Sequence, residues 1–336
     1  MNSRERLLAI LRGDPCDRSA VVCPGGMMSL AVTEVMAASG VTWPEAHRDE
    51  RAMLRLALAM QEATGFDNLA MPFCMTVEAE AYGARVDLGS ASVQPRVTRP
   101  ILPGDGTGEL PPADFRAGRA GTLLAALRMA KDRGTELPLV GNLVGPFSLL
   151  GMLCDPLMVL RWTRRNPEVL LAALDRITRD LTAFGVCQKE AGAEVLCIAE
   201  PTATGEILGG PLFRKFVLPC LQRMIDALQS AGLEVILHIC GDVAAMEGEL
   251  FEIRAKAVSF DSMVDIVRLA GKNPPWAVMG NVDAFLLKAG PPEAVQRSCR
   301  RLLDGGVRLL APACGVIAST PLSHLREMRR AAERKH

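Results

Sequence analysis

Short runs of strand-forming residues recur along the chain, and most of them are followed by a turn and a segment with helical periodicity. Strands that alternate with helices are typical of an α/β protein with a parallel sheet and helices outside it. Eight repeats favour closure of that sheet into a (β/α)8 barrel of the TIM type. The predicted strands are residues 20–23, 68–72, 137–142, 194–200, 234–240, 257–261, 276–281 and 307–313.

The main interruption of this pattern falls after the second predicted strand. Residues 76–85 and 92–98 are predicted to form an antiparallel pair that turns at Asp87-Leu88-Gly89, and a loop rich in proline and glycine follows over residues 99–112. We interpret residues 76–112 as a hairpin insertion in one barrel domain that covers residues 1–336. A helix over residues 3–11, capped by Ser3 and ended at Gly13, forms an N-terminal extension.

The charge balance excludes one class of function. The chain has 38 Lys and Arg against 38 Asp and Glu, with no block of basic residues. A protein held to nucleic acid by phosphate contacts needs excess positive charge, so no nucleic-acid partner is expected. Residues 137–154 are uncharged and long enough for a membrane span. Their prolines and glycines instead predict a strand, a turn and a helix start, so no membrane partner is expected.

The first residues of the chain lack an apolar signal core, and we therefore expect the protein in the cytoplasm. Its ten cysteines should then be reduced. Most of them are expected to be small core residues, whereas those that lie close to a histidine are candidates for metal binding.

The ends of the predicted strands carry mainly potential metal ligands. In a TIM-type barrel the active site lies at the C-terminal ends of the strands, so these positions are the first candidates for chemistry. They are Cys23, Cys74, Asn142, Glu200, His238, Cys240, Asp261, Asn281 and Cys314.

The strongest motif is His238-Ile239-Cys240-Gly241. Side chains alternate along a strand, so His238 and Cys240 face the same space. Cys314 ends the last predicted strand and opens onto the same mouth of the barrel. Imidazole and thiolate ligands select zinc over magnesium or calcium. The alternative is a packed core histidine beside a buried thiol, because the chain has many cysteines.

Three ligands of this kind predict a catalytic zinc with one position left for water or substrate, whereas structural zinc is normally closed by four. Glu200 is the best candidate for a weak fourth ligand. Two thiolates cancel the charge of the ion, so the site would polarise a carbonyl poorly and would instead hold a substrate thiol as its thiolate.

Four further residues at strand ends have two interpretations each. Glu200 is either a ligand or base, or a carboxylate that caps a loop. Asp261 either orients His238 or binds substrate, or it is a buried hydrogen-bonding group. Asn142 and Asn281 are candidate donors to a bound cofactor, although asparagine after a strand is also ordinary turn chemistry.

Several motifs together make the chain similar to a known family. They are residues 12–18 (RGDPCDR), 71–80 (MPFCMTVEAE), 145–147 (GPF), 238–241 (HICG), 279–283 (MGNVD) and 310–315 (LAPACG). Over essentially its whole length the sequence resembles the uroporphyrinogen decarboxylase superfamily, and within it the cobamide-dependent methyltransferase branch. The resemblance implies a distorted (β/α)8 barrel, in which zinc bound by residues matching His238, Cys240 and Cys314 holds an acceptor thiol.

The resemblance also implies the reaction and the partner. A methyl group would move between a methylcobamide carried by a corrinoid protein and a small molecule, and Met27 and Met28 could supply an apolar rim for the cobamide. Methoxylated or methylamine donors and a tetrahydrofolate acceptor stay open as alternatives. Decarboxylation is disfavoured, because residues 23–28 (CPGGMM) lack the arginines that hold porphyrin carboxylates in true decarboxylases. A non-catalytic corrinoid-binding barrel is a further alternative, and the oligomeric state stays open.

Overall fold

The structure, a computed structural model, describes residues 1–102 and 109–333. All eight predicted barrel strands are present, together with a two-stranded hairpin. The strands are β1 (Ala20–Val21), β2 (Leu69–Ala70), β3 (Arg85–Asp87), β4 (Arg96–Arg99), β5 (Leu139–Val144), β6 (Val195–Ala199), β7 (Glu234–Ile239), β8 (Ala257–Phe260), β9 (Ala277–Val282) and β10 (Leu309–Pro312).

Helices follow the barrel strands and cover the outside of the sheet. Those of the first half are α1 (Ser3–Arg12), α2 (Thr33–Ser39), α3 (Glu50–Thr64), α4 (Val77–Ala81), α5 (Gly118–Arg133), α6 (Pro146–Leu153), α7 (Pro156–Arg165) and α8 (Pro167–Glu190). Those of the second half are α9 (Gly209–Leu212), α10 (Leu218–Ser230), α11 (Glu247–Leu250), α12 (Ile266–Ala270), α13 (Ala284–Ala289), α14 (Pro292–Asp304) and α15 (Leu322–Glu333). Short 3-10 turns at Glu45–His47 and Ala244–Met246 and a π-helical turn at Phe213–Val217 complete the pattern.

The eight barrel strands form one sheet in the order β1-β10-β9-β8-β7-β6-β5-β2, and every neighbouring pair is parallel. This order is that of a barrel in which each strand lies beside the next along the chain. The predicted fold class, a TIM-type α/β barrel with a hairpin after the second strand, is confirmed. Uncharged residues 137–154 form β5 and α6, as predicted.

One backbone hydrogen bond and three side-chain hydrogen bonds of Asp67 and Asn68 replace the regular strand ladder between β1 and β2. The Asp67 amide donates to the Val21 carbonyl at 2.7 Å, and the Val21 amide donates to Asp67 Oδ2 at 2.9 Å. Asn68 accepts from the Cys23 amide and donates to the Cys23 carbonyl, both at 2.9 Å. The two residues before β2 therefore hold the last seam of the barrel.

Two local predictions were wrong. Residues 77–81 form α4 instead of a strand. The strand that pairs with β4 is Arg85–Asp87, which begins at the last residue of the predicted strand 76–85 and includes the first residue of the predicted turn. Helix α1 is capped by Asn2 instead of Ser3, because Asn2 and Glu5 form a reciprocal capping box. Gly13, with φ of 80°, ends that helix as predicted. Part of the predicted loop, residues 103–108, lies outside the described residues.

In the part of the chain that the structure describes, no helix combines the length and the apolar character needed to cross a membrane.

Candidate metal centre

Strand β7 brings His238 and Cys240 to one space, as the alternation of side chains predicts. His238 Nε2 lies 3.2 Å from Cys240 Sγ. His238 is fully buried, and Cys240, just beyond the strand, is partly exposed. The backbone then leaves the site at Gly241, whose φ of 69° lies in the left-handed region that favours glycine.

Cys314 reaches the same point from the loop after β10. Its Sγ lies 3.8 Å from Cys240 Sγ, and one ligand atom each from His238, Cys240 and Cys314 lie within 4.8 Å of one another. At Gly315, a Cβ would meet the Met27 carbonyl at 2.7 Å, so the loop passes close to the segment after β1. The convergence on which the metal hypothesis depends is therefore present.

The two thiols differ electrostatically. The hydrogen bond that the two sulfurs share raises the pKa of Cys240 and lowers that of Cys314. A thiolate beside an imidazole is the protonation state that metal binding requires. Both cysteines are partly exposed, so the cluster opens toward the mouth of the barrel.

Ser259 contacts the histidine from the neighbouring strand. His238 and Ser259 lie opposite each other in the register of β7 and β8, and His238 Nδ1 lies 3.0 Å from Ser259 Oγ. Sequence reasoning assigned this position to Asp261 and missed Ser259. Side chains two residues apart on a strand face the same side, so the position of Ser259 two residues before Asp261 could have identified it.

The two methionines after β1 lie on different sides of the cluster. Met27 Sδ is 3.7 Å from Cys240 Sγ, and Met27 is partly exposed. Met28 is 1% exposed, and its Sδ lies 3.5 Å from Ser259 Oγ, behind the histidine. The Met28 side chain is thus part of the packed interior and not of an open rim.

Glu200 points away from the cluster. Its carboxylate accepts hydrogen bonds from the Phe147 and Ser148 amides at 3.1 and 2.7 Å and from the Ser148 hydroxyl, at the start of α6. Burial raises the pKa of Glu200 to about 7, against the effect of these donors. This is the arrangement of a carboxylate that caps a helix.

Asp261 follows β8, and Asn281 contacts its loop from the neighbouring strand β9. Asp261 Oδ1 accepts from the Met263 amide and the Ser262 hydroxyl, each at 3.3 Å. The Asn281 side-chain amide donates to the backbone carbonyls of Asp261 and Val264 at 2.7 and 2.8 Å. Asp261 is not hydrogen-bonded to His238, and Asn281 fixes the loop that carries Asp261.

Asn142 is buried against the loop after β1. Its side-chain nitrogen donates to the Pro24 carbonyl at 2.6 Å and lies 3.3 Å from the Met71 carbonyl. Its Oδ1 has no hydrogen-bond partner among residues 1–102 and 109–333, and a Cβ at Gly26 would lie 2.6 Å from that oxygen. Asn142 therefore joins β5 to the segment that carries Met27 and Met28.

Comparison with known proteins adds the family. The model of the uroporphyrinogen decarboxylase (URO-D) family matches residues 2–335. The chain belongs to the URO-D family. Within the family it is similar to two named groups of proteins, which differ in how much of the chain they match.

The methyltransferases match nearly all of this chain. The methylcobamide:CoM methyltransferase MtbA of Methanosarcina acetivorans is 33% identical over 97% of this chain and 96% of that protein. The solved structure of a methyltransferase from Methanosarcina mazei has a TM-score of 0.92, 29% identity and 98% coverage of both chains. The uroporphyrinogen decarboxylase of Chloroflexus aurantiacus is 27% identical over 60% of each chain.

Proposed function

We propose that this URO-D family member is a zinc-containing methyltransferase that moves a methyl group between a corrinoid protein and a small thiol. The observation that carries the proposal is the convergence of one imidazole and two thiols at the open end of the barrel. Relatives whose names describe methyl transfer from methylcobamide to CoM match the chain over nearly its full length, which supports the same reaction class.

The donor set fits a zinc ion. Tetrahedral zinc with bonds of about 2.3 Å to sulfur and about 2.0 Å to nitrogen separates two sulfurs by about 3.8 Å, and nitrogen from sulfur by about 3.5 Å. The distance between Cys240 Sγ and Cys314 Sγ is 3.8 Å, and that between His238 Nε2 and Cys240 Sγ is 3.2 Å. His238, Cys240 and Cys314 would hold the ion.

When bound, zinc would keep an acceptor thiol deprotonated and nucleophilic at neutral pH. As zinc ligands, Cys240 and Cys314 would contribute two negative charges, which favours electron-rich sulfur chemistry over activation of a carbonyl. Glu200 is turned toward α6, so we assign it to the support of that helix and not to a fourth ligand position. The partly exposed face of the two cysteines is the side from which reactants arrive.

The surface around this face suits a protein partner. Ile207, Met263 and Phe285 lie after β6, β8 and β9 and are 45%, 62% and 73% exposed. All three follow C-terminal strand ends, the end of the barrel at which the two cysteines lie, and contiguous exposed apolar surface is typical of a docking site. We assign this rim to the corrinoid protein, which must bring a methyl-bearing cobalt to the cysteines. The cytoplasm, where the thiols stay reduced, is the proposed location.

A decarboxylase is the second candidate from the family, and two observations disfavour it. Residues 23–28, which end with Met27 beside Cys240 and Met28 beside Ser259, contain no arginine. Arg119, near the same end of β2, is 5% exposed and already bound to Glu80 and Thr76. A porphyrin with several carboxylates would therefore find no guanidinium group in residues 23–28 and no free one at Arg119.

The experiment is a demethylation assay of the zinc-loaded protein with methylcobalamin as donor and separate thiols and tetrahydrofolate as acceptors. Methoxyarenes are tested in the reverse direction, as methyl donors to cob(I)alamin. We expect methyl transfer to a thiol and none to tetrahydrofolate, because the two thiolates favour sulfur chemistry. Free methylcobalamin removes the need for docking, so the assay tests the chemistry alone. Failure of every acceptor with zinc fully loaded would contradict the proposed reaction and favour a non-catalytic corrinoid-binding barrel.

A further inference from the structure

A chain of three buried side chains crosses the barrel beneath the candidate metal centre. It runs from His238 on β7 to Ser259 on β8 and on to Met28, which follows β1. All three side chains are at most 1% exposed. Because β9 and β10 separate β8 from β1 around the sheet, the contact between Ser259 and Met28 passes through the interior of the barrel.

The thioether of Met28, the last of the three side chains, determines the direction of the hydrogen bonds. A thioether sulfur has no proton and only accepts. The Ser259 hydroxyl, 3.5 Å from Met28 Sδ, therefore donates to the sulfur. In that arrangement the Ser259 oxygen is left to accept from His238 Nδ1, 3.0 Å away, which requires the imidazole proton on Nδ1.

That direction sets which nitrogen is free. With the proton on Nδ1, the lone pair of His238 Nε2 faces Cys240 Sγ, 3.2 Å away, where the ligand atoms converge. A neutral imidazole must bind a metal through a nitrogen without a proton, and the partner of the other nitrogen normally decides which one that is.

We propose that Ser259 and Met28 are positioning residues that hold His238 in the tautomer and orientation required for metal binding. The proposal rests on the proposed zinc site. A hydroxyl in this place orients the ring without adding a negative charge to a site that already holds two thiols. Asp261, the carboxylate nearest along β8, is bound to its own loop and does not compete for the histidine.

The test measures zinc affinity by competition with a chelator, and the His238 tautomer in zinc-free protein by 15N NMR. Ser259→Ala is expected to weaken zinc binding by about 10-fold to 100-fold, as loss of such a partner does in other zinc proteins. Met28→Leu keeps the volume but removes the acceptor, so a smaller loss of affinity and a mixture of tautomers are expected. Ser259→Thr retains the hydroxyl and should restore the wild-type tautomer.

Met279→Leu is the matched control. Met279 is also fully buried, lies in register with Ser259 on β9, and has no hydrogen bond to the histidine among the described contacts. It should leave both measurements unchanged. Wild-type affinity and tautomer in Ser259→Ala would overturn the proposal. If that variant does not fold, an unchanged tautomer in Met28→Leu does so instead. Neither zinc affinity nor the His238 tautomer depends on methyl transfer, so failure of this inference is distinguishable from failure of the proposed function.

Discussion

Replacement of both Cys240 and Cys314 by serine is expected to abolish zinc binding and methyl transfer. Removal of two of the three converging ligands leaves His238 alone, and a single imidazole does not hold zinc at neutral pH against water. Loss of a group behind a ligand already costs about 10-fold to 100-fold in affinity or activity, so loss of two ligands should exceed about 100-fold. Metal analysis of the purified protein and the demethylation assay measure the two effects.

The matched control removes two other thiols. Cys16 and Cys187 are also partly exposed and free, but they are not members of the His238 cluster. The variant with both of these replaced by serine should bind zinc and transfer methyl groups like the wild type. If the variant that lacks Cys240 and Cys314 keeps its full zinc content, the metal binds elsewhere in the chain and the proposed site is wrong.

Asp67→Asn is expected to lower the free energy of unfolding by about 3–5 kcal/mol, the usual result when one partner of a buried ion pair is removed. The Asp67 side chain is fully buried and accepts from Arg6 Nη1 at 2.9 Å and Arg18 Nη2 at 2.7 Å. The introduced side-chain amide would direct a donor at these guanidinium groups, and it would disturb the bond to Val21 that holds the seam of the barrel. Urea unfolding at pH 7 measures the change.

Asp175→Asn is the control for this variant. Asp175 pairs with Arg223 and Arg179, but its side chain is 42% exposed, so a loss below about 1 kcal/mol is expected. An effect of Asp67→Asn as small as that of the control would contradict the role assigned to the seam.

The pH dependence gives a second check on Asp67. Burial alone would raise its pKa, but hydrogen bonds from Arg18 and Val21 lower it below the ordinary value of 3.8. A carboxyl with a lowered pKa in the folded state adds stability above its ordinary pKa and loses it as the pH falls through the folded value. The difference between wild type and Asp67→Asn should therefore narrow as the pH falls below 3.8.

The sequence predicts the barrel well, because the two-residue alternation of strands and the apolar periodicity of helices depend only on residues close together in the sequence. The same local pattern places His238 and Cys240 on one face, and the strand ends bring Cys314 near them. Glu200 shows the limit of this reasoning. Ala199 lies in register with His238, so Glu200, one residue further, points to the opposite side of the sheet. The positions of the predicted strand ends do not reveal how neighbouring strands pair. The placement of Ser259 opposite His238 depends on the same pairing register.

The helix at residues 77–81 was unpredictable for a different reason. Its alternation of apolar and acidic residues is typical of a strand, but contacts distant in sequence decide its conformation. Glu78 is buried and accepts from the Val144 amide at 2.9 Å, and Glu80 pairs with Arg119. These tertiary contacts override a short local pattern.

The central claim is that His238, Cys240 and Cys314 hold zinc and leave a position for a thiol. Zinc K-edge X-ray absorption of the loaded protein, before and after addition of an acceptor thiol, tests it most directly. Two sulfur ligands and one imidazole from the protein are expected, and a third sulfur once the thiol is added. A sulfur count that does not change while methyl transfer proceeds would contradict it.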